Sequence, residues 1–339
     1  SGHTGLTAKD AFAGSAPTIE DGSAHFQATA FTGNGSANHD IAQTGNSTFQ
    51  PDFVWIKRRD GTENHYFQDS SRGSTQQIYA NLSNAQYNQT NAVTSFNSDG
   101  FVLGGYNGTN NIGETYVAWC WKVNGGTSSS NSDGSATGSV QANAAAGFSI
   151  VKYTGTGSGF TLGHGLSSAP KFIMLKKYSA SGDWLAGALD WNKYLEPNGD
   201  PAFRTAGVFG NTAPGDSVFT LGTSGGGNTN GADHIAYCFA DVAGYQKIGS
   251  YEGTGDAEGP IVNVGFEPVF IIIKNVDSAG EWWMVDNIRG NTQLLQGQGN
   301  AAESTSDALV TFLSNGFQVT RADGNMNGNG DTFLYIAIG

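Results

Sequence analysis

Two short stretches repeat a charged pattern, Asp69-Ser70-Ser71-Arg72-Gly73 and Asp286-Asn287-Ile288-Arg289-Gly290. A carboxylate three residues ahead of a guanidinium suits two kinds of chemistry. It can recognise sugar hydroxyls, or it can close a local ion pair around a turn, with the arginine folding back on the aspartate. Asp190 and Lys193 make a weaker version of the pattern. Recurrence suits a scaffold better than a unique site, so Asp69, Arg72, Asp286 and Arg289 are read as structural ion pairs.

Aromatic rings on a neutral, Asn- and Gly-rich surface suit glycan binding, because sugar C–H faces pack on rings while amides bond hydroxyls. Trp184, Trp282, Trp283 and Tyr106 are the candidates. The competing reading places the tryptophans in the core.

The remaining reactive residues form no recognisable constellation. Cys120 and Cys238 fall in equivalent aromatic stretches and read as buried, reduced thiols. Zinc needs more ligands at short spacing than two distant cysteines provide. The six histidines are scattered; His164 sits in a turn and His234 opens a strand. Asn325-Met326-Asn327-Gly328-Asn329-Gly330-Asp331 has oxygen donors for calcium but lacks the spaced aspartates and closing glutamate of a calcium loop. The G-x-G turns lack the following helix and lysine of a phosphate loop. Catalytic residues, metal ligands and cofactor motifs are therefore not assigned, and the expectation is a protein that is not an enzyme.

Composition narrows the partners. The chain has 339 residues, 50 of them Gly and only 8 Pro, and a net charge of −13. The glycines do not follow a strict three-residue period, which excludes a collagen-like chain. Aromatics at 12 % in short apolar runs disfavour disorder. With 16 Lys and Arg, phosphate-backbone binding is not expected. The one basic cluster, Lys57-Arg58-Arg59, runs straight into Asp60 and reads as an exposed strand end. Apolar runs stay at about six residues, too short for membrane insertion. The chain opens Ser1-Gly2 without Met, which points to processing or to a partial chain.

The elements that position these residues come in three copies. Tyr153-Thr154-Gly155-Thr156-Gly157 matches Tyr251-Glu252-Gly253-Thr254-Gly255 at an offset of 98. The same offset joins Pro170 to Pro268, Lys176 to Lys274, Trp184 to Trp282, Phe219 to Phe317 and Tyr237 to Tyr335, leaving Ile336 where the other copies have Cys. A more divergent copy begins at Phe31-Thr32-Gly33-Asn34-Gly35 and carries Lys57, Phe101, Trp119 and Cys120. Many matches at one spacing mark internal repeats.

Each copy holds a short apolar run that reads as a strand buried on both faces: Phe53–Lys57, Phe172–Lys176 and Val269–Lys274. Each ends in an aromatic closing strand, at 115–121, 234–239 and 332–338. The predicted fold is all-β: tandem β-sandwich-like repeats of about 95 residues. The expected boundaries are an extended N-terminal arm at 1–30, repeats at 31–123, 148–242 and 243–339, and a Gly/Ser-rich linker at 124–147. A helix is expected only near Leu189–Glu196.

One stretch has a family look. Ala142-Asn143, Gly147-Phe148-Ser149-Ile150-Val151-Lys152-Tyr153-Thr154-Gly155-Thr156-Gly157, His164-Gly165-Leu166 and Ala169-Pro170 resemble a repeat of tail-fibre and other virion proteins of tailed bacteriophages, common in marine phages. Phe53-Val54-Trp55-Ile56-Lys57, Ser95–Phe101 and Ile235–Asp241 fit the same repeat. The first copy lacks the His-Gly-Leu. The resemblance implies an extracellular virion protein: a tail fibre or tail-associated subunit contributing to assembly and host-surface attachment. A capsid-decorating protein and a tail polysaccharide depolymerase are the alternatives. Its expected partners are other virion subunits and a host-surface glycan, in a homo-oligomer, a trimer if a fibre. The arm is expected to lie along a neighbouring subunit or to add a strand to its edge.

Overall fold

The computed structural model describes residues 18–305 and 310–339. It is all-β. Three six-stranded antiparallel sheets account for most of it, one per repeat. In the first unit the order is Phe26–Thr32, Thr115–Trp121, Phe53–Arg58, Tyr66–Asp69, Gly73–Tyr79, Tyr87–Asn88. In the third it is Gln246–Glu252, Thr332–Ile338, Phe270–Asn275, Trp282–Asp286, Gln293–Gln296, Ser304–Thr305. The second unit keeps the same inner order, Phe148–Thr154, Asp233–Ala240, Pro170–Lys177, Leu185–Ala188. It adds Gly138–Asn143 and Ser129–Asn131 outside the opening strand. A smaller sheet covers one face of each unit: His39–Ala42 with Gly100–Leu103 and Val93–Asn97, Phe160–Gly163 with Val218–Leu221, and Ile261–Asn263 with Gly316–Val319 and Val310–Leu313.

Strand alternation sorts the closing strands between two cores. Trp119 and Trp121, Tyr237 and Phe239, and Ile336 and Ile338 point into one central cluster shared by all three units. Their neighbours Ala118 and Cys120, Ala236 and Cys238, and Tyr335 and Ala337 face three separate clusters under the small sheets. Each unit is thus a sandwich, and the three sandwiches turn their large sheets toward one another. Ring contacts cross every junction: Phe53 to Tyr237 at 4.6 Å, Phe26 to Phe270 at 5.4 Å and Phe172 to Trp282 at 6.4 Å.

Four sequence expectations need correction. The first unit begins before residue 31, because Phe26–Thr32 is its opening strand and pairs with Thr115–Trp121. The rest of the expected arm packs on its own chain where it is described: Thr18 donates to the Ala243 carbonyl at 3.2 Å. Residues 1–17 lie outside the described residues. The 124–147 segment is no linker, since it supplies the two outer strands of the second sheet. Its small residues fit a strand wedged between units. No helix forms at 189–196: Leu189 takes a φ of 57°, and Leu195 instead bridges back to Ala186.

The register of the third closing strand also differs. Phe239 pairs with Phe172, and Ile338 pairs with Phe270. Tyr237 therefore corresponds to Ile336, and Cys238 to Ala337. Tyr335 lies in the equivalent strand but on the opposite face. The slip traces to one extra residue near Thr320, because Val319 still matches Leu221 whereas Asn327 does the work of Asn228.

Candidate functional site

The Asp-x-x-Arg-Gly turns sit at the junctions between units. Arg72 Nε donates to Asp69 Oδ2 at 2.6 Å, and Arg289 Nε to Asp286 Oδ2 at 2.6 Å, with both pairs of side chains enclosed. Each aspartate also takes a donor from the next unit. Tyr237 Oη reaches Asp69 Oδ2 at 2.7 Å, and Trp119 Nε1 reaches Asp286 Oδ2 at 2.9 Å. Burial opposes the Arg72 charge, but Asp69 and Tyr237 outweigh it and hold the guanidinium above its ordinary range. The third-unit pair extends further: Arg289 Nη1 binds Glu303, which Arg59 clamps with two bonds at 2.9 and 3.0 Å. Arg289 also lies 5.4 Å from the centre of the Trp119 ring. Asp190 and Lys193, the weaker version, pair at 3.3 Å in the open; the position equivalent to Asp69 and Asp286 is the buried Ala188, opposite Phe172.

A second set recurs once per unit. Lys57, Lys176 and Lys274 are buried, and burial pulls each ammonium down to about 8. Their donors go to backbone carbonyls: Lys57 to Arg58 and Gly61, Lys176 to Ser83 and Gly182, and Lys274 to Asp200 and Asn275. Ser83 belongs to the first unit and Asp200 to the second, so two of these lysines join neighbouring units. Lys57 is therefore not an exposed strand end. Beside it, Arg58 pairs with Asp60 and Glu114.

The glycan candidates divide. Trp184 is fully buried, and its Nε1 donates to the Tyr79 carbonyl at 2.9 Å; Trp282 is 4 % exposed, and its Nε1 donates to the Glu196 carbonyl at 3.2 Å. Both belong to the central core and bond to the preceding unit, so neither can meet a sugar. Their counterpart in the first unit is His65, which accepts from Trp55 Nε1 at 2.7 Å. Burial, reinforced by the nearby Lys57 charge, holds His65 well below the usual histidine range. Trp283 is half-buried against the third small-sheet cluster.

Tyr106 keeps a surface position. It packs edge-on to Tyr66, ring centres 5.8 Å apart, beside the stacked pair Tyr79 and Tyr87 at 5.2 Å. Tyr66 Oη donates to Glu63 at 2.8 Å, and Gln77 Nε2 donates to Tyr87 Oη. Tyr79, Tyr87 and Tyr106 are half-buried. Burial, with help from Tyr106 and Glu63, keeps the Tyr66 phenol protonated far above its ordinary range.

The other candidates are structural. Cys120 and Cys238 are buried free thiols, and burial pushes Cys238 up to about 12. His164 meets the Gly215 carbonyl at 3.1 Å, and Leu166 N–H donates to its other ring nitrogen at 3.1 Å. His234 stacks on Tyr153, and burial lowers it to about 4. In the 325–331 loop, Asn327 points inward rather than around an ion: its oxygen accepts Thr254 N–H at 2.7 Å and its amide binds two carbonyls. Among the described residues, His, Cys, Asp and Glu form no group of three suited to a metal.

Two structural roles escaped the sequence reading. Asn110 and Asn228 repeat the Asn327 clamp, each tying the end of a four-residue helical turn to the G-x-G turn. Their recurrence at the repeat spacing is the signal that marks them. Asp52, fully buried, gathers the backbone N–H groups of Val123, Gly125 and Gly126 at 2.7–3.0 Å. Nothing in its local sequence indicates that role.

Fold and junctions together define a protein of three fused β-sandwich repeats around a common core. A family model described as a domain of unknown function (DUF7483) matches residues 21–339, and the chain belongs to that family. No curated protein matches it. Among the described residues, no helix is long and apolar enough to cross a membrane.

Proposed function

We propose that this chain is a structural subunit of a bacteriophage particle, tail-associated, and that it serves assembly and host-surface attachment without catalysing a reaction. One observation carries most of the argument. The strongest charged groups, Asp69–Arg72 and Asp286–Arg289, are enclosed and bonded across unit boundaries, where they hold shape and are closed to a substrate. The virion-type repeat in 147–170 supplies the particle. Host glycan contact falls to the Tyr79–Tyr87–Tyr106 patch, which combines half-buried rings with phenol hydroxyls beside Glu63.

Mass spectrometry of purified particles of a phage encoding this chain tests the reading. Peptides from 18–339 should appear at structural stoichiometry, and antibody labelling should mark the tail. Particles lacking the chain would overturn the proposal, as would release of reducing sugar from bacterial polysaccharide by the pure protein.

A further inference from the structure

The three large sheets enclose a cavity of about 50 Å³ in the shared core, and equivalent residues of the three units line it. Phe53, Phe172 and Phe270 form one level. Two residues further along the same strands, Trp55, Met174 and Ile272 form the next. Side chains at this second level do not close against one another. Trp55 keeps 8 % exposure and Met174 7 %, and Ile272 is only partly buried, whereas Val54, Ile173 and Ile271 on the other face of the same strands are fully buried. The residual surface is the wall of the cavity.

Small residues ring one end. Ile78, Leu195 and Leu295 lie opposite the equivalent residues Phe67, Ala186 and Met284, so Ala80, Pro197 and Gly297, two positions on, are equivalent as well. All three border the cavity. The indole N–H groups of Trp184 and Trp282 bond to the carbonyls of Tyr79 and Glu196, immediately before Ala80 and Pro197, and hold this collar in place. Pro197 is partly exposed, so the collar is where the cavity meets the surface.

The lining suits carbon rather than water, which needs two to four polar partners. Trp55 and Trp282 give their N–H groups to His65 and to the Glu196 carbonyl. That leaves the lining side chains one unused polar hydrogen, on the enclosed Trp121 Nε1, which has no partner among the described residues. Met174 and Met284 add flexible, polarizable thioethers that adapt to an apolar guest. Size sets the shape of the guest. A dry apolar cavity of about 150 Å³ accepts a benzene ring, and this one is too small for that.

We propose that the cavity binds the end of an aliphatic chain, which enters past Ala80, Pro197 and Gly297 and leaves its polar head in solvent. Methyl NMR of the full chain, labelled at methionine, tests this. The sequence holds three methionines; Met174 and Met284 line the cavity, and Met326 lies in the separate core under the third small sheet and serves as the reference. Hexan-1-ol should shift the Met174 and Met284 methyls saturably and leave Met326 in place. Hexane-1,6-diol, polar at both ends, should bind about tenfold more weakly or not at all. Ala80→Leu narrows the collar and should weaken hexanol binding about tenfold or more with the Met326 resonance unmoved. Equal shifts at all three methyls, or shifts that do not saturate, would overturn the proposal. So would a diol that binds as tightly as the alcohol, or unchanged affinity in Ala80→Leu. Should that variant fail to fold, the comparison of alcohol and diol on the wild type decides alone.

Discussion

Two of the three junctions are polar at their centre, and one is not. Where the first unit meets the second, Tyr237 reaches the enclosed Asp69–Arg72 pair; where the third meets the first, Trp119 reaches Asp286–Arg289. Where the second meets the third, Ile336 stands in the donor position and the buried Ala188, opposite Phe172, stands where Asp69 and Asp286 stand, while the Asp190–Lys193 pair two residues on is out in solvent. That junction relies on Phe172 and Trp282, on the backbone bond from Phe203 N–H to the Val276 carbonyl, and on the bonds from Lys274 and Trp282 to the Asp200 and Glu196 carbonyls. The donor and the buried acid occur together or not at all. A buried carboxylate needs its partners, and at the junction without the donor the acid's place is taken by Ala188.

Removing half of a buried pair should therefore separate the junctions most sharply. Arg72→Met or Arg289→Met leaves an enclosed carboxylate unpaired and should cost about 3–5 kcal/mol in urea unfolding. Lys193→Met should stay within about 0.5 kcal/mol, the scale of an exposed pair. Equal losses at the three positions would erase the distinction between junctions.

Removing only the donor is milder. Tyr237→Phe should cost about 1.5–3 kcal/mol, because a hydrogen bond to a charged acceptor is lost inside the core. Ile336→Leu should cost less than about 1.5 kcal/mol. A larger loss at Ile336 than at Tyr237 would reverse the comparison.

The buried lysines are common to all three units and so should not distinguish them. Each is held near 8, below its unfolded value, so the unfolded chain binds more protons between about pH 8 and 10.5 and stability should rise with pH as that range is entered. Lys176→Met should weaken that rise. His234, held near 4, acts in the acid range with the same slope: its contribution is present above the ordinary histidine value and is lost as pH falls toward 4. A flat profile from pH 8 to 9.5 would contradict the lysine burial.

The smallest effect on stability should come from the surface. Tyr106→Ala should leave unfolding within about 1 kcal/mol yet abolish binding of saccharides from host surface extracts, measured by calorimetry. Unchanged saccharide binding would remove the patch from the attachment reading.

The repeats were legible because strand ends, turns and large side chains kept their spacing. The both-face burial of Phe53–Ile56 and the one-sided pattern of Phe101 and Leu103 were legible too, since period two maps directly onto faces. The register of the third closing strand was not. Phe333–Ile338 is apolar at every position, so a shift of one residue changes no pattern, though it sends Tyr335 to the other face. The Gly/Ser-rich stretch at 124–147 reads as a linker by composition, and only its neighbours reveal the strands Ser129–Asn131 and Gly138–Asn143 within it. Trp184 and Trp282 could not be told from surface aromatics, because the core that buries them is assembled from three distant units.

Cooperativity tests the shared core most directly. Urea unfolding should be followed by tryptophan fluorescence and by hydrogen exchange in Phe53–Arg58, Pro170–Lys177 and Phe270–Asn275. One core predicts a single transition, with the three strands losing protection at the same midpoint. Separate midpoints for the three strands would show independent sandwiches and contradict the account.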